Sequence, residues 1–250
     1  VKGGYAADGS DGSGLKPGQE AWGFVANEFF SSFKRLRNNS PIVSSSFKKS
    51  YFMDGSIGVY TKDANSNGKL GDSGDTVNLY ISMRRGGRMI YALDVNNPTT
   101  PKYLWKITNS TTGFSELGQT WSQPTVVTGL AGLNVPVLIF GAGYDPDVED
   151  IQPSTITGAS TTSVTVGTSV YSRSMGRGIY VVNALTGELI WSAGRTGSGA
   201  TKIVDGMDYA IPSDLTIIKN ESGGNTNRAY VGDTGGNVWR IDFASNTGSA

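Results

Sequence analysis

The run Ile179-Tyr180-Val181-Val182 is β-branched and aromatic, Asn183 to Gly187 supplies turn residues, and Leu189-Ile190-Trp191 is apolar again. Two apolar runs joined by turn chemistry predict a buried antiparallel hairpin. A hairpin alone is marginal in water, so this one belongs to a larger sheet. The pattern recurs along the chain. Strands are predicted over 51–60, 76–84, 88–95 and 102–107, then 122–127, 135–143, 178–183 and 188–193, then 212–218, 228–233 and 237–243. The third strands of these sets align, Gly87 to Asp94 with Gly176 to Asn183 and Gly235 to Asp242. Their separations exceed the roughly 40 to 50 residues of one propeller blade, so insertions are expected. Asp145 to Met175, rich in Ser and Thr, reads as an inserted surface hairpin or loop.

Four-stranded units repeated in this way predict an all-β fold, a β-propeller whose blades bury their faces on one another. The blades fall at about 51–107, 119–194 and 207–243 within a domain spanning 19–250. Three sets are fewer than the roughly four to eight of a closed ring, so the segment covers part of a ring or has its edges covered another way. One short helix precedes them. Trp22, Val25, Phe29, Phe33 and Leu36 fall at helical intervals over about 19–37, with Lys34, Arg35 and Arg37 in the last turn, where positive charge suits the helix dipole. That stripe reads as packing against a sheet. Residues 1–18, dominated by Gly, Ser and Asp, read as a flexible lead-in.

Composition narrows the chemistry. With 35 Gly and few charges the chain suits short strands and turns. Lys and Arg total 21 and Asp and Glu total 21, so no net field draws nucleic acid. Cys and His are both missing, which excludes a Ser-His-Asp triad, thiolate chemistry and imidazole metal sites. No apolar run is long enough to span a membrane, and the first residues do not form a signal peptide.

The most distinctive local stretch runs from Asp63 to Asp75. Asp63, Asn65 and Asn67 stand at positions one, three and five of an EF-hand-type calcium loop, with Gly68 at six and the Lys69 carbonyl at seven. Position twelve is Gly74, so closure falls to Asp72, Asp75 or both. Two neutral Asn ligands place the site in the weaker, extracellular range of affinity. The competing reading is an Asx-rich hairpin turn. A second acidic group, Asp145, Asp147, Glu149 and Asp150, reads with Pro146 and Pro153 as a stiff exposed loop.

Several stretches taken in order resemble the C-terminal β-propeller of the PilC/PilY family of type IV pilus tip-associated adhesins. They are Tyr51 to Ser56, Gly87 to Val95 with Asn97-Pro98 and Leu104-Trp105, Trp121 to Pro124, Phe140 to Tyr144, and Tyr230 to Asp233 through Trp239-Arg240. The resemblance implies a modified quinoprotein-like propeller, part of a longer exported chain, at the pilus tip or outer-membrane surface. It implies a non-catalytic role in adhesion, twitching, pilus assembly and retraction control. Its implied partners are minor pilins, a host or abiotic surface ligand and the rest of its own chain. Calcium is the expected cofactor and no quinone is expected. The family calcium loop would correspond to Lys219 to Asn227, where only one acid stands, so that site is not carried over. Ala184, Thr186, Gly187 and Trp191 also resemble the tryptophan-docking repeat of quinoprotein dehydrogenases, which leaves a fragment of such an enzyme as the alternative.

Overall fold

The computed structural model describes residues 16, 18–130, 132–219 and 226–243. Asn27–Ser32 forms a 3-10 turn that runs into helix α1 (Phe33–Asn38). The helix expected over 19–37 is therefore shorter and starts later. Ala26 is extended (φ −66°, ψ 137°), and Phe24 packs inward and Ala26 is buried while Val25 between them is exposed, the alternation of a strand. The expected apolar stripe is only partly a packing face: Phe29 is buried, but Val25, Phe33 and Leu36 are exposed.

The first blade is β1 (Ile57–Lys62), β2 (Thr76–Ser82), β3 (Met89–Asp94) and β4 (Lys102–Thr108), an antiparallel sheet in chain order. Residues 51–56, expected as strand, are not; they run beside the β2–β3 turn, with Phe52 edge-on to Phe29 at 5.2 Å and the Ser56 carbonyl accepting from Ser82 N–H at 3.2 Å. Next come β5 (Thr125–Val127) and β6 (Val137–Gly141). The chain then leaves the sheet for helix α2 (Pro146–Glu149) and a small antiparallel sheet of β7 (Gly158–Ala159), β8 (Ser163–Val166) and β9 (Ser169–Ser172). It returns as β10 (Gly178–Asn183), β11 (Leu189–Gly194) and β12 (Lys202–Ile203), giving the second blade the order β12-β11-β10-β6-β5. β12 lies parallel to β11. A third sheet holds β13 (Thr216–Lys219), β14 (Thr226–Gly232) and β15 (Val238–Asp242). The aligned segments become β3, β10 and β15, each the third strand of its sheet.

Successive side chains on a strand point to opposite faces, and the middle blade is covered on both. Leu138, Phe140, Tyr180 and Val182 pack with Tyr80, Ile90, Trp105 and Ile107 of the first blade. Val137, Ile139, Ile179 and Val181 pack the other way, with Ala229 and Val231 of the third. Continuous apolar sequence in β6 and β10 follows from this double burial. A third, smaller cluster sets Met83 and Tyr91 of the first blade against Phe24, Ala26, Phe29 and Phe52.

One tryptophan fastens the first two blades. Trp105 of β4 donates its indole N–H to the Ala184 carbonyl at 3.2 Å and lies against Gly187, where a Cβ would come within 2.8 Å of the ring. Ala184 and Gly187 are thus used as the docking repeat implies, but the ring they receive is Trp105. Trp191 packs half-buried between the second and third blades.

Candidate functional site

Antiparallel connections alternate between the two ends of a blade, so the loops fall into two groups. At one end lies the β1–β2 loop, beside the β3–β4 turn, where Asn96 Nδ2 donates to the Asp72 carbonyl at 3.3 Å. Asp63 opens this loop as an Asx-type clamp: Oδ1 accepts from Asn67 N–H at 3.3 Å and Oδ2 from Gly68 N–H at 2.7 Å. Ser66 and Gly68 are both left-handed, at φ 58° and 77°. Asn65 Oδ1 accepts from Asn67 N–H and Asn67 Oδ1 from Lys69 N–H, at 3.1 and 2.8 Å.

The fold brings Asn65, Asn67 and Asp72 together. Asp72 Oδ2 accepts from the side-chain amides of Asn67 at 2.7 Å and Asn65 at 3.3 Å. Those bonds hold the Asp72 carboxyl below its ordinary range. Asp75 is placed differently. It is buried, and its two oxygens accept from the backbone N–H groups of Ala64 and Asp72, both at 2.9 Å. It clamps the base of the loop through these two backbone groups. Among the described residues no three His, Cys, Asp or Glu side chains cluster to hold a metal. A cation in this loop would therefore need the Asn oxygens and a backbone carbonyl such as that of Lys69 beside Asp63 and Asp72.

The second acidic group, expected as an exposed loop, divides at the other end. Asp145 is buried; it caps α2 by accepting from Asp147 N–H at 3.2 Å and accepts from Ser174 N–H at 3.1 Å. Burial pushes its carboxyl upward, against those hydrogen bonds. Glu149 accepts from Arg173 at 3.2 Å and from the Thr234 hydroxyl at 2.8 Å, tying α2 to the third blade. Asp147 and Asp150 stay exposed, on one wall of an open cleft of about 570 Å³. Nearby, Arg177 and Glu116 form a two-bond ion pair at 2.9 and 2.7 Å with little exposure.

No family model matches the chain. Against individual proteins it is 27% identical over 239 residues to the type IV pilus biogenesis factor PilY1 of Pseudomonas aeruginosa, a match covering 94% of this chain and 16% of that protein. It is also 27% identical over 168 residues to a PilY1 homolog of Xylella fastidiosa, covering 67% of this chain and 10% of that protein. The crystal structure of the Pseudomonas aeruginosa PilY1 C-terminal domain superposes with a TM-score of 0.53 at 22% identity, over 90% of this chain and 35% of that one.

The chain is a homologue of PilY1. It spans about a sixth of the length of the Pseudomonas PilY1, and its fold is the β-propeller-like fold of the PilY1 C-terminal domain. In this PilY1 homologue several residues of the stretches that carried the resemblance have structural roles. Tyr91 and Trp105 pack in blade clusters, Ser122 Oγ accepts from Gly141 N–H at 3.1 Å, and Asp233 accepts from Trp239 Nε1 at 2.8 Å. Residues 220–225, within the stretch that would correspond to the family calcium loop, lie outside the described residues. Sequence reasoning passed over the Glu116–Arg177 pair, because the partners stand 61 residues apart.

Proposed function

We propose that the protein works in type IV pilus biogenesis as a non-catalytic, surface-exposed module that contributes to attachment and to control of pilus retraction. The similarity to PilY1 along 94% of the chain carries this reading. Minor pilins, a surface ligand and the remainder of a longer chain are its proposed partners, outside the cell or on its outer surface. Among the described residues no helix is long and apolar enough to cross a membrane. The inserted region after β6 is the proposed adhesive element, since it projects Val170 and Tyr171 to solvent from a Ser- and Thr-rich sheet. Exchanging residues 152–172 for a short Gly-Ser linker in the full-length protein tests it. Loss of attachment with normal surface pili is expected; loss of pili would instead assign the region to assembly.

Calcium is the proposed regulator, held by Asp63, Asn65, Asn67, the Lys69 carbonyl and Asp72. Support comes from the spacing of these donors and from the convergence of Asn65, Asn67 and Asp72. Calcium there would neutralise Asp63 and Asp72 and fasten the β1–β2 loop. The alternative, a quinoprotein dehydrogenase fragment, draws only on the docking repeat. Trp105, Ala184 and Gly187 use that repeat to pack two blades, and a fold does not bring its chemistry with it. A quinone absorbance in the purified protein would overturn the non-catalytic reading.

A further inference from the structure

Two consecutive arginines share one indole at the end of the first blade opposite the β1–β2 loop. The guanidinium carbons of Arg84 and Arg85 lie 4.5 and 5.5 Å from the centroid of Trp121. Arg85 also lies 5.4 Å from the ring of Tyr51, and Lys49 Nζ lies 5.1 Å from that same ring. Three cations therefore interleave with two aromatic rings. The rings attract each cation through their quadrupoles, but the cations repel one another. Among the described residues none of the three is in an ion pair, so a bound anion would relieve the repulsion.

The backbone aims this cluster. Arg84 is left-handed at φ 46°, uncommon for a residue with a long side chain. Its N–H donates to the Thr120 carbonyl at 3.0 Å, and Gly86 N–H donates to Met83 at 2.8 Å. Strain held in place by surrounding bonds points to a function. The open cleft lies alongside. Lys48, Lys49 and Arg85 line it together with Asp147 and Asp150. Tyr144 joins the two sets, donating its hydroxyl to Asp150 at 2.8 Å while its ring lies 5.6 Å from Trp121.

The two signs of charge select the ligand. A uniform polyanion would be drawn to the arginines and repelled by Asp147 and Asp150. A neutral sugar would need an aromatic face, and the faces of Tyr51 and Trp121 carry cations. We propose that this cleft binds an extended polypeptide segment of mixed charge, with carboxylates seated on Lys49 and Arg85 and a basic side chain against Asp147 and Asp150. The chemistry of the cleft is independent of the pilus reading and of calcium at the opposite end.

Fluorescence anisotropy at low ionic strength tests the proposal with three fluorescein-labelled Gly-Ser peptides. One carries Glu residues at one end and Lys at the other, one carries Glu only, and one carries Lys only. The mixed peptide is expected to bind at least tenfold more tightly than either single-sign peptide. Lys49→Gln with Arg85→Gln should weaken it at least tenfold. Asp147→Lys with Asp150→Lys, both at exposed positions, should transfer the preference to the Glu peptide, with far-UV circular dichroism confirming the fold after loss of the Tyr144 bond to Asp150. No binding of the mixed peptide, tighter binding of polyglutamate than of the mixed peptide by wild type, or indifference to both pairs of substitutions would overturn it.

Discussion

The contact between Trp105 and Gly187 makes a quantitative prediction about how the first two blades are joined. Trp105 is 8% exposed, stacks 5.7 Å from Tyr80 and donates to Ala184. Trp105→Ala should cost about 3–5 kcal/mol, the range for truncating a buried aromatic. At about 2–4 °C per kcal/mol for a chain of this size, the midpoint should fall by about 6–20 °C. Trp105→Phe keeps an aromatic ring but loses the indole donor, leaving the Ala184 carbonyl unpaired at a cost of about 1–3 kcal/mol. Gly187→Ala should be costly for two separable reasons. Its φ of 77° imposes about 1–2 kcal/mol on any residue with a Cβ, and contact with the indole at 2.8 Å adds about 1–3 kcal/mol of overpacking. Once Trp105 is Ala, the second cost vanishes and only the first remains. Urea denaturation of the two single variants and the double variant, followed by far-UV circular dichroism, should therefore give a sum of single effects exceeding the double by about 1–3 kcal/mol. Additivity within about 0.5 kcal/mol would refute the account.

Calcium at a hundredfold excess over its dissociation constant should stabilise the protein by about 2.7 kcal/mol. A thermal melt should register that gain, and Asp63→Ala or Asp72→Ala should abolish it. Asp75→Ala should destabilise with or without calcium, since two backbone N–H groups lose their acceptor; an undiminished calcium response in Asp72→Ala would remove Asp72 from the site. At low pH, Glu28 supplies a distinct limb. Burial alone would raise its carboxyl, but hydrogen bonds from Lys106 and Tyr91 outweigh that and hold it below 4.5. A depressed folded pKa contributes stability above the unfolded value that is lost as pH falls through the folded one. Glu28→Gln should therefore lower stability at neutral pH and flatten its decline below pH 4.5; superimposable acid limbs would contradict this. Arg177→Ala should cost up to about 3–5 kcal/mol by leaving Glu116, only 13% exposed, unpaired, and Arg177→Met with Glu116→Leu should recover most of it. Thermal melts distinguish these outcomes, and a double variant no better than the single would count against the desolvation argument.

The strand pairs were legible where burial is symmetric. β6 and β10 read as unbroken apolar runs because both of their faces meet another blade. Residues 19–26 misled for a physical reason: Trp22 and Val25 fit a helical stripe by spacing, while no helix forms there, Val25 is exposed, and Ala26 is buried with Phe24 packed beside it. The region of β7, β8 and β9 reads as an inserted surface hairpin or loop, but its strands are not legible, because the apolar residues there are few and Val164 is its one buried large residue. At the β1–β2 loop, spacing singled out Asp63, Asn65 and Asn67. Only the fold distinguishes Asp72, facing the amides, from Asp75, which serves the backbone. The cleft was invisible because Tyr51, Arg85 and Asp150 come from separate passages of the chain.

Asp145 accepts from Asp147 at the departure of the inserted region and from Ser174 at its return. The excursion therefore leaves and rejoins the blade through a fastened neck, and β6 and β10 are paired up to Gly141 and Ile179 on the inner side of it. Doubling the length of a flexible loop costs only about 0.6 kcal/mol. The part of the excursion beyond α2, which Glu149 ties to the third blade, can thus lengthen, shorten or be exchanged with little effect on the frame.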